Sequence, residues 1–279
     1  MKIGFIGAGK VGFSLGKYFA ENGLELSGYF SRSESSAREA AGFTGSEVFL
    51  SPEELLRSSD AVFITVTDGA IKDVYLSLPK ELLSGKQLCH CSGSMSAAEA
   101  FPDIAAHGAK GTSIHPLFPV NSKSDSYKEL KNSFFCIEGD CAEEWCSIFS
   151  ELGNPTRMID SSIKMRYHAA CCIASNLVCG LIEESRTLLM QCGFSGDEAV
   201  AALEPLVMSN IQRIFTVGPT DALTGPVERN DVSTVRKHIS CIENDTDREI
   251  YISVTKKLVE MAQNRHPGSD HTEMKKLLK

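Results

Sequence analysis

The stretch Met1-Lys2-Ile3-Gly4-Phe5-Ile6-Gly7-Ala8-Gly9-Lys10-Val11-Gly12 opens the chain, and its reading decides the fold. Residues 2–7 form an apolar run that predicts a buried strand. An amphipathic helix is predicted from Val11 to Asn22, with Gly23 closing it in the usual C-terminal position. Between the two stands Gly7-Ala8-Gly9-Lys10-Val11-Gly12, a G-x-G-x-x-G pattern. Glycine triplets arise in many turns, so the strand before it and the helix after it supply the weight. In that setting Gly7 permits a tight turn, Gly9 lets the backbone approach a pyrophosphate, and Gly12 lets the helix pack closely on the strand. The free N–H groups and partial positive charge of the helix start then favour phosphate.

Moving outward, Leu24 to Phe30 reads as a second strand, and its end discriminates between dinucleotides. A carboxylate there would accept hydrogen bonds from a ribose 2′-hydroxyl. This chain has Ser31-Arg32-Ser33 instead. Arg32 can pair with a 2′-phosphate and stack on adenine, and both serines can donate hydrogen bonds. An exposed loop arginine beside Glu34 is the competing account. The expected cofactor is therefore NADP(H), held by Gly7, Ala8, Gly9, Lys10, Val11, Gly12, Ser31, Arg32 and Ser33. Val66-Thr67-Asp68 and His90-Cys91-Ser92-Gly93-Ser94 follow two further strands. Ligands of open parallel sheets lie beyond such carboxyl ends, so Val66, Thr67 and Ser92 join the cofactor side. Ordinary turn chemistry would also explain them.

Further along, Ser51-Pro52-Glu53-Glu54 is a helix start with Ser51 as cap and Glu54 completing a capping box. Ala61–Val66, Gln87–Cys91, Gly111–Ile114 and Asn132–Ile137 read as strands, and Ala142–Leu152 as a helix. Alternating strands and helices predict an α/β fold with a doubly wound parallel sheet, the Rossmann arrangement. From Ser161 onward the pattern is all-α. Helices are expected over Ile163–Cys192, Gly196–Val217 (capped by Ser195 with Glu198), Val232–Asn244 and Asp247–Asn264, with a short helix or tail after His266. The expected domains are thus 1–160 and 161–279.

The chain has 279 residues, a net charge of -8, 42% hydrophobic and 23% charged residues. That composition is ordinary for a globular protein, and the negative charge disfavours nucleic acid and anionic membrane as partners. The apolar stretch Ala169–Ile182 is broken by Ser175 and Asn176 and reads as too short and too polar to span a bilayer. No signal-peptide pattern precedes the first strand, so a cytoplasmic location is expected. The ten cysteines are then expected to be reduced thiols filling buried positions, and none shows the paired C-x-x-C spacing of a zinc site.

Hydride chemistry also requires a proton, and histidine suits that task near neutral pH. His115 follows a strand in Ser113-Ile114-His115-Pro116, where the proline holds it extended. His168 lies on the first long helix, and Lys164, His168, Cys172 and Asn176 fall at four-residue steps on one face. Such a polar stripe on an apolar helix needs partners, either in a cleft or in an interhelical network. Asp221-Ala222-Leu223-Thr224-Gly225-Pro226-Val227-Glu228-Arg229-Asn230-Asp231 interrupts two helices. It offers Thr224, Arg229 and Asp231 to a substrate, with Arg229 suited to a carboxylate. Capping by Asp231 in a plain connection is the alternative.

Together these motifs resemble a family of Rossmann-like proteins. They pair an N-terminal domain similar to deazaflavin-dependent NADP oxidoreductases with a C-terminal helical domain of unknown function. The resemblance spans the chain through Gly7–Gly12, His90-Cys91-Ser92-Gly93, His115-Pro116-Leu117, Tyr167-His168-Ala169-Ala170 with Ser175-Asn176, and Ala222-Leu223-Thr224-Gly225-Pro226 with Arg229-Asn230-Asp231. The family's last motif more usually reads R-G-D, so Asn230 stands in place of a glycine. The resemblance implies NADP binding, a helical domain similar to that of 6-phosphogluconate dehydrogenase, and a homodimer through that domain. More distant relatives are pyrroline-5-carboxylate reductases, beta-hydroxyacid dehydrogenases and prephenate dehydrogenases. The second of these place a catalytic lysine where Cys172 stands here, so their mechanism does not transfer.

The expected activity is NADP-dependent hydride transfer to or from a small keto, hydroxy or imino acid. Ser92 and His115 would lie near the nicotinamide, His168 would donate the proton with Lys164 on its face, and Asn176 would orient the substrate or the cofactor amide. A dinucleotide-binding sensor without turnover is the alternative. A cleft holding both His115 and His168 would favour the enzyme.

Overall fold

The computed structural model describes all 279 residues. Ile3–Ile6 (β1) is buried along its whole length, because helices cover both faces of the sheet it centres. Phe5 stacks on Tyr29 at 5.0 Å and on Phe63 at 5.4 Å, tying β1 to its two neighbours. Those neighbours are Leu26–Phe30 (β2) and Ala61–Ile64 (β4), both parallel to β1. Glu47–Val48 (β3), Gln87–His90 (β5), Lys110–Pro116 (β6), Phe135–Gly139 (β7) and Thr156–Met158 (β8) complete one sheet of order β3-β2-β1-β4-β5-β6-β7-β8. The order reverses between β1 and β4, which opens a crevice at their carboxyl ends.

The helices of this half are Lys10–Glu21 (α1), Glu34–Thr44 (α2), Pro52–Ser58 (α3), Asp68–Ser77 (α4), Ala97–Ala100 (α5), Ser126–Leu130 (α6) and Ala142–Glu151 (α7). Ser51 caps α3 by accepting from the Glu54 amide at 3.2 Å. The Glu54 carboxylate takes the Leu50 amide at 3.0 Å, one residue earlier than a capping box requires. The all-parallel expectation needs one correction: β6 and β7 pair antiparallel, and β8 then runs parallel to β7. The strands β3 and β8, two and three residues long, are too short to show a period in the sequence. Of the cysteines expected to fill buried positions, only Cys89, Cys136 and Cys141 do so, and Cys179, Cys192 and Cys241 in the helical half are exposed.

The last strand ends at Met158, and the α-helices beyond it are Lys164–Ala174 (α8), Asn176–Gln191 (α9), Gly196–Val217 (α10), Pro219–Ala222 (α11), Val232–Cys241 (α12), Asp245–Arg265 (α13) and Thr272–Leu277 (α14). The helix expected over Ile163–Cys192 is broken at Ser175, whose φ of -123° and ψ of -76° leave the helical region. Asn176 therefore opens α9 and does not continue the face of α8. The chain forms two compact units, Met1–Ile173 and Ala174–Lys279. The first includes most of α8 because Lys164, at its start, is buried against the sheet.

Within the second unit, Val227, Val235, Val259, Met274 and Leu278 form a core joining α12, α13 and α14. By contrast, α9 has no buried residue and α10 only Ala199. Leu206 and Phe215 on α10 are 68% and 85% exposed. Ser161–Gln191, taken through the break, is 31 residues long with a window of mean hydropathy 1.2 and none of that window buried. By length and composition alone that segment could cross a membrane. The shorter stretch Ala169–Ile182 hid this, because helical turns on both sides extend it.

Candidate functional site

A cleft of 790 Å³ opens at the crevice between β1 and β4, lined by Gly7, Ala8, Gly9, Lys10, Val11, Ser31, Arg32, Val66 and Thr67 among others. The glycines are placed as their spacing predicts. Gly7 has φ +110°, a conformation that side chains rarely tolerate. A Cβ on Gly12 would come within 2.3 Å of Thr65 Oγ1 and 2.6 Å of the Gly7 carbonyl, so close packing of α1 demands glycine there. Gly9 is different. A Cβ there would meet nothing nearer than 3.9 Å, and its φ of -77° suits any residue. No protein atom requires glycine at this position, so the demand comes from whatever approaches from the cleft.

The N-terminus of α1 points the same way, since no side chain caps its first-turn amides. Arg32 is exposed and makes no ion pair, because the neighbouring Glu34 is bonded to Arg38. No carboxylate stands at the end of β2. These features fit a dinucleotide carrying a 2′-phosphate. Gly12 serves packing, and Ser33 caps α2, its hydroxyl accepting from the Ser36 amide at 3.4 Å.

Beside this cleft a second group of residues gathers on one face of the sheet. Side chains two apart on a strand share a face, and directly paired residues lie opposite each other. Ser113 and His115 on β6 pair with Glu138 and Cys136 on β7, which puts all four on the same surface. The helix α8 covers it with Lys164, Tyr167, His168 and Cys171, spaced i, i+3, i+4, i+7. Lys164, 2% exposed, donates to Ser113 Oγ and pairs with Glu138 at 3.2 Å. Glu138 also accepts from the Ala97 amide at 2.7 Å. Burial lowers the Lys164 pKa, and the Glu138 charge acts against that shift. All of this makes Lys164 an anchor for α8.

His115 Nδ1 lies 2.6 Å from the Tyr167 hydroxyl. The His168 ring stands nearly perpendicular to that of His115, centroids 6.1 Å apart. Its Nε2 is 3.5 Å from Cys172 Sγ, while its Nδ1 is buried without a partner. The free nitrogens of both rings converge on Gly93, just beyond β5: a Cβ there would lie 2.5 Å from His168 Nδ1 and 2.8 Å from His115 Nε2. Burial and the Lys164 charge push the His115 pKa down to about 4, so its imidazole is neutral at pH 7. Burial pushes His90, in the strand before, to about 3.

The structure thus brings His115, His168 and Lys164 together beside Ser92. The Ser92 hydroxyl is taken up by its own turn, donating to Asp68 at 2.6 Å and accepting from the Met95 amide at 3.1 Å. Tyr167 entered the sequence analysis only inside the Tyr167-His168-Ala169-Ala170 motif, with no role of its own. Its signal was the i, i+3, i+4, i+7 stripe, which steps of four passed over. Asn176, Thr224, Arg229 and Asp231 belong to the second unit. Asn176 Oδ1 accepts from Ser175 at 3.1 Å, and Thr224 and Arg229 are exposed. Asp231 caps α12, accepting from the Thr234 amide at 3.0 Å. Asn230, standing where a glycine is usual, adopts φ +55°, so the turn keeps the glycine-like conformation that asparagine tolerates best.

Comparison with known proteins bears on the domains and the fold. Residues 2–92 match the family of coenzyme F420-dependent NADP oxidoreductases, and residues 133–258 match a domain of unknown function, DUF2520. No curated protein matches the chain in sequence. Among solved structures, protein TM1727 from Thermotoga maritima is 27% identical with TM-score 0.75, covering 94% of this chain and 99% of its own. An imine reductase from Myxococcus stipitatus in complex with NADP+ is 17% identical with TM-score 0.64, covering 100% of both chains. A reductive aminase from Aspergillus terreus, in complex with NADPH4, cyclohexanone and allyl amine, is 15% identical with TM-score 0.67, covering 100% and 99%. The last two are likenesses of fold.

Proposed function

From a chain that carries an NADP oxidoreductase domain followed by a helical domain of unknown function, we propose an NADP-dependent oxidoreductase acting on a small keto, hydroxy or imino acid. The observation that carries this reading is the convergence of His115 Nε2 and His168 Nδ1 on Gly93, at the strand edge beside the dinucleotide cleft. The bound nicotinamide would supply or accept hydride. Gly7 to Val11 would hold the pyrophosphate, and Arg32 the 2′-phosphate. His168 would give up a proton from Nδ1, and neutral His115 would orient the reacting group without carrying charge. Lys164 and Ser92 hold the surface on which the two rings sit. Arg229, exposed and without an ion pair, is the second unit's residue suited to a carboxylate, with Thr224 near it in sequence. A sensor without turnover would not need two imidazoles aimed at one point, and their convergence favours the enzyme.

The test is a panel of ketones and imines followed by NADPH absorbance, run beside fluorescence titration of NADPH and NADH. We expect turnover of some member of the panel, lowered in His168→Ala with NADPH affinity unchanged. Unaltered turnover in that variant removes His168 from the chemistry.

We further propose that a second copy of the chain covers the bare apolar faces of α9 and α10. A face exposing Leu206 and Phe215 this fully is far more apolar than water-facing helices tolerate. Sedimentation should show a dimer, converted to monomer by Phe215→Asp. Co-sedimentation with lipid vesicles in place of dimerisation would assign the face to a membrane and overturn the cytoplasmic reading.

A further inference from the structure

We infer that His115 and His168 grip an oxygen atom, so that the reacting pair is a carbonyl and its alcohol, and that Tyr167 is the positioning residue that sets this choice. The inference rests on the reductase reading above and sharpens its substrate class.

The argument turns on where one hydrogen lies. Burial raises the Tyr167 pKa, so the phenol keeps its proton. That O–H has three neighbours to choose from: His115 Nδ1 at 2.6 Å and the thiols of Cys136 and Cys171. A ring nitrogen lone pair is a much better acceptor than sulfur, so Tyr167 donates to Nδ1. Neutral His115 must then carry its own hydrogen on Nε2, the nitrogen aimed over Gly93. His168 complements it. With Nε2 turned to Cys172, its buried and unpartnered Nδ1 faces the same spot. The two nitrogens border one spot beside Gly93, and N–H groups on both would suit an acceptor with two lone pairs, which a carbonyl oxygen has. An iminium nitrogen has none, carries positive charge, and would face two donors with nothing to offer them.

The step balances as follows. The carbonyl carbon gains a hydride from the reduced nicotinamide, which ends as NADP+. The C=O π pair moves onto oxygen. The step requires His168 with a proton on each ring nitrogen; it passes the Nδ1 proton to that oxygen, ends with one proton and takes another from water. His115 keeps its proton and stabilises the developing negative charge by its hydrogen bond, as an oxyanion-hole donor does.

The primary test needs no substrate. Nitrogen-15 NMR of the imidazoles in the full-length protein reads the tautomer directly. We expect His115 as the Nε2–H form, lost or mixed with the Nδ1–H form in Tyr167→Phe. A wild-type His115 protonated on Nδ1 overturns the inference. The second test uses matched probes, cyclohexanone and 2-methyl-1-pyrroline, with NADPH. We expect the ketone to be favoured, and Tyr167→Phe to lower its kcat by about tenfold or more with NADPH affinity held. Gly93→Ala, whose methyl would come within 2.5 Å of His168 Nδ1 and 2.8 Å of His115 Nε2 and push both rings aside, should lower turnover and spare NADPH binding. Faster reduction of the imine also overturns it. If NADPH binds but neither probe reacts, the proposed activity is what suffers, and the tautomer alone decides the inference.

Discussion

Replacing Lys164 with Met tests whether α8 is held to the sheet by one buried ion pair. Lys164 is 2% and Glu138 4% exposed, so neither has water to fall back on. In Lys164→Met the Glu138 carboxylate keeps the Ala97 amide but loses its cation. Leaving one buried charge uncompensated costs about 3–5 kcal/mol. For a unit of this size 1 kcal/mol moves Tm by roughly 2–4 °C, so the transition of the first unit should fall by roughly 6–20 °C. Neutralising the carboxylate as well should recover most of the loss, because the Lys164→Met, Glu138→Gln double variant buries no lone charge and still accepts from Ala97. The assay is thermal and urea unfolding of the four proteins in a double-mutant cycle. A second readout follows from the same geometry. Lys164 depresses the His115 pKa through its charge, so its removal should lift the value above about 4 in an NMR titration. A single-variant loss under about 1 kcal/mol, or a double variant as unstable as the sum of its parts, would refute the account.

Three further outcomes are expected. Arg32→Ala should weaken NADPH binding by roughly 10- to 100-fold, since a charge-assisted bond to phosphate contributes about 1.5–3 kcal/mol, and should leave NADH binding alone. Equal affinities for the two in the parent protein would remove the phosphate assignment. Stability should decline as pH falls from about 6.5 toward 4. The fold holds His90 and His115 at about 3 and about 4, below their unfolded value of 6.5, so the unfolded chain takes up protons first and gains over the native state. Urea midpoints that stay flat between pH 7 and 5 would contradict this. His115→Gln should remove part of that dependence.

Much of this molecule was legible beforehand because the signals are local. The strand–glycine–helix opening needs only the residues from Ile3 to Glu21, and Arg32 follows from the absence of a carboxylate at one strand end. The antiparallel turn of β7 was not legible, since an apolar run such as Phe135-Cys136-Ile137 reads alike in either direction. Nor was the break at Ser175, because serine sits readily inside helices and no glycine or proline marks the spot. In the candidate site, His115 and His168 were each found from their own surroundings. The role of Tyr167 was missed because its partner lies fifty-two positions away in sequence. The ion pair of Lys164 was missed for the same reason: a lysine beside apolar residues gives no hint that the opposing strand holds a glutamate.

Gly9 separates two kinds of selection. Alanine is sterically free there, and by narrowing the unfolded ensemble it should make the protein about 0.4–1 kcal/mol more stable. A stabilising screen would therefore choose that substitution and, by growing a methyl group where the diphosphate must rest, deliver a sturdier protein that no longer takes up its nucleotide. Across descendants of this chain the residue should behave as a recorder of ligand use: fixed for as long as the nucleotide is bound, and among the first in its loop to drift once it is not.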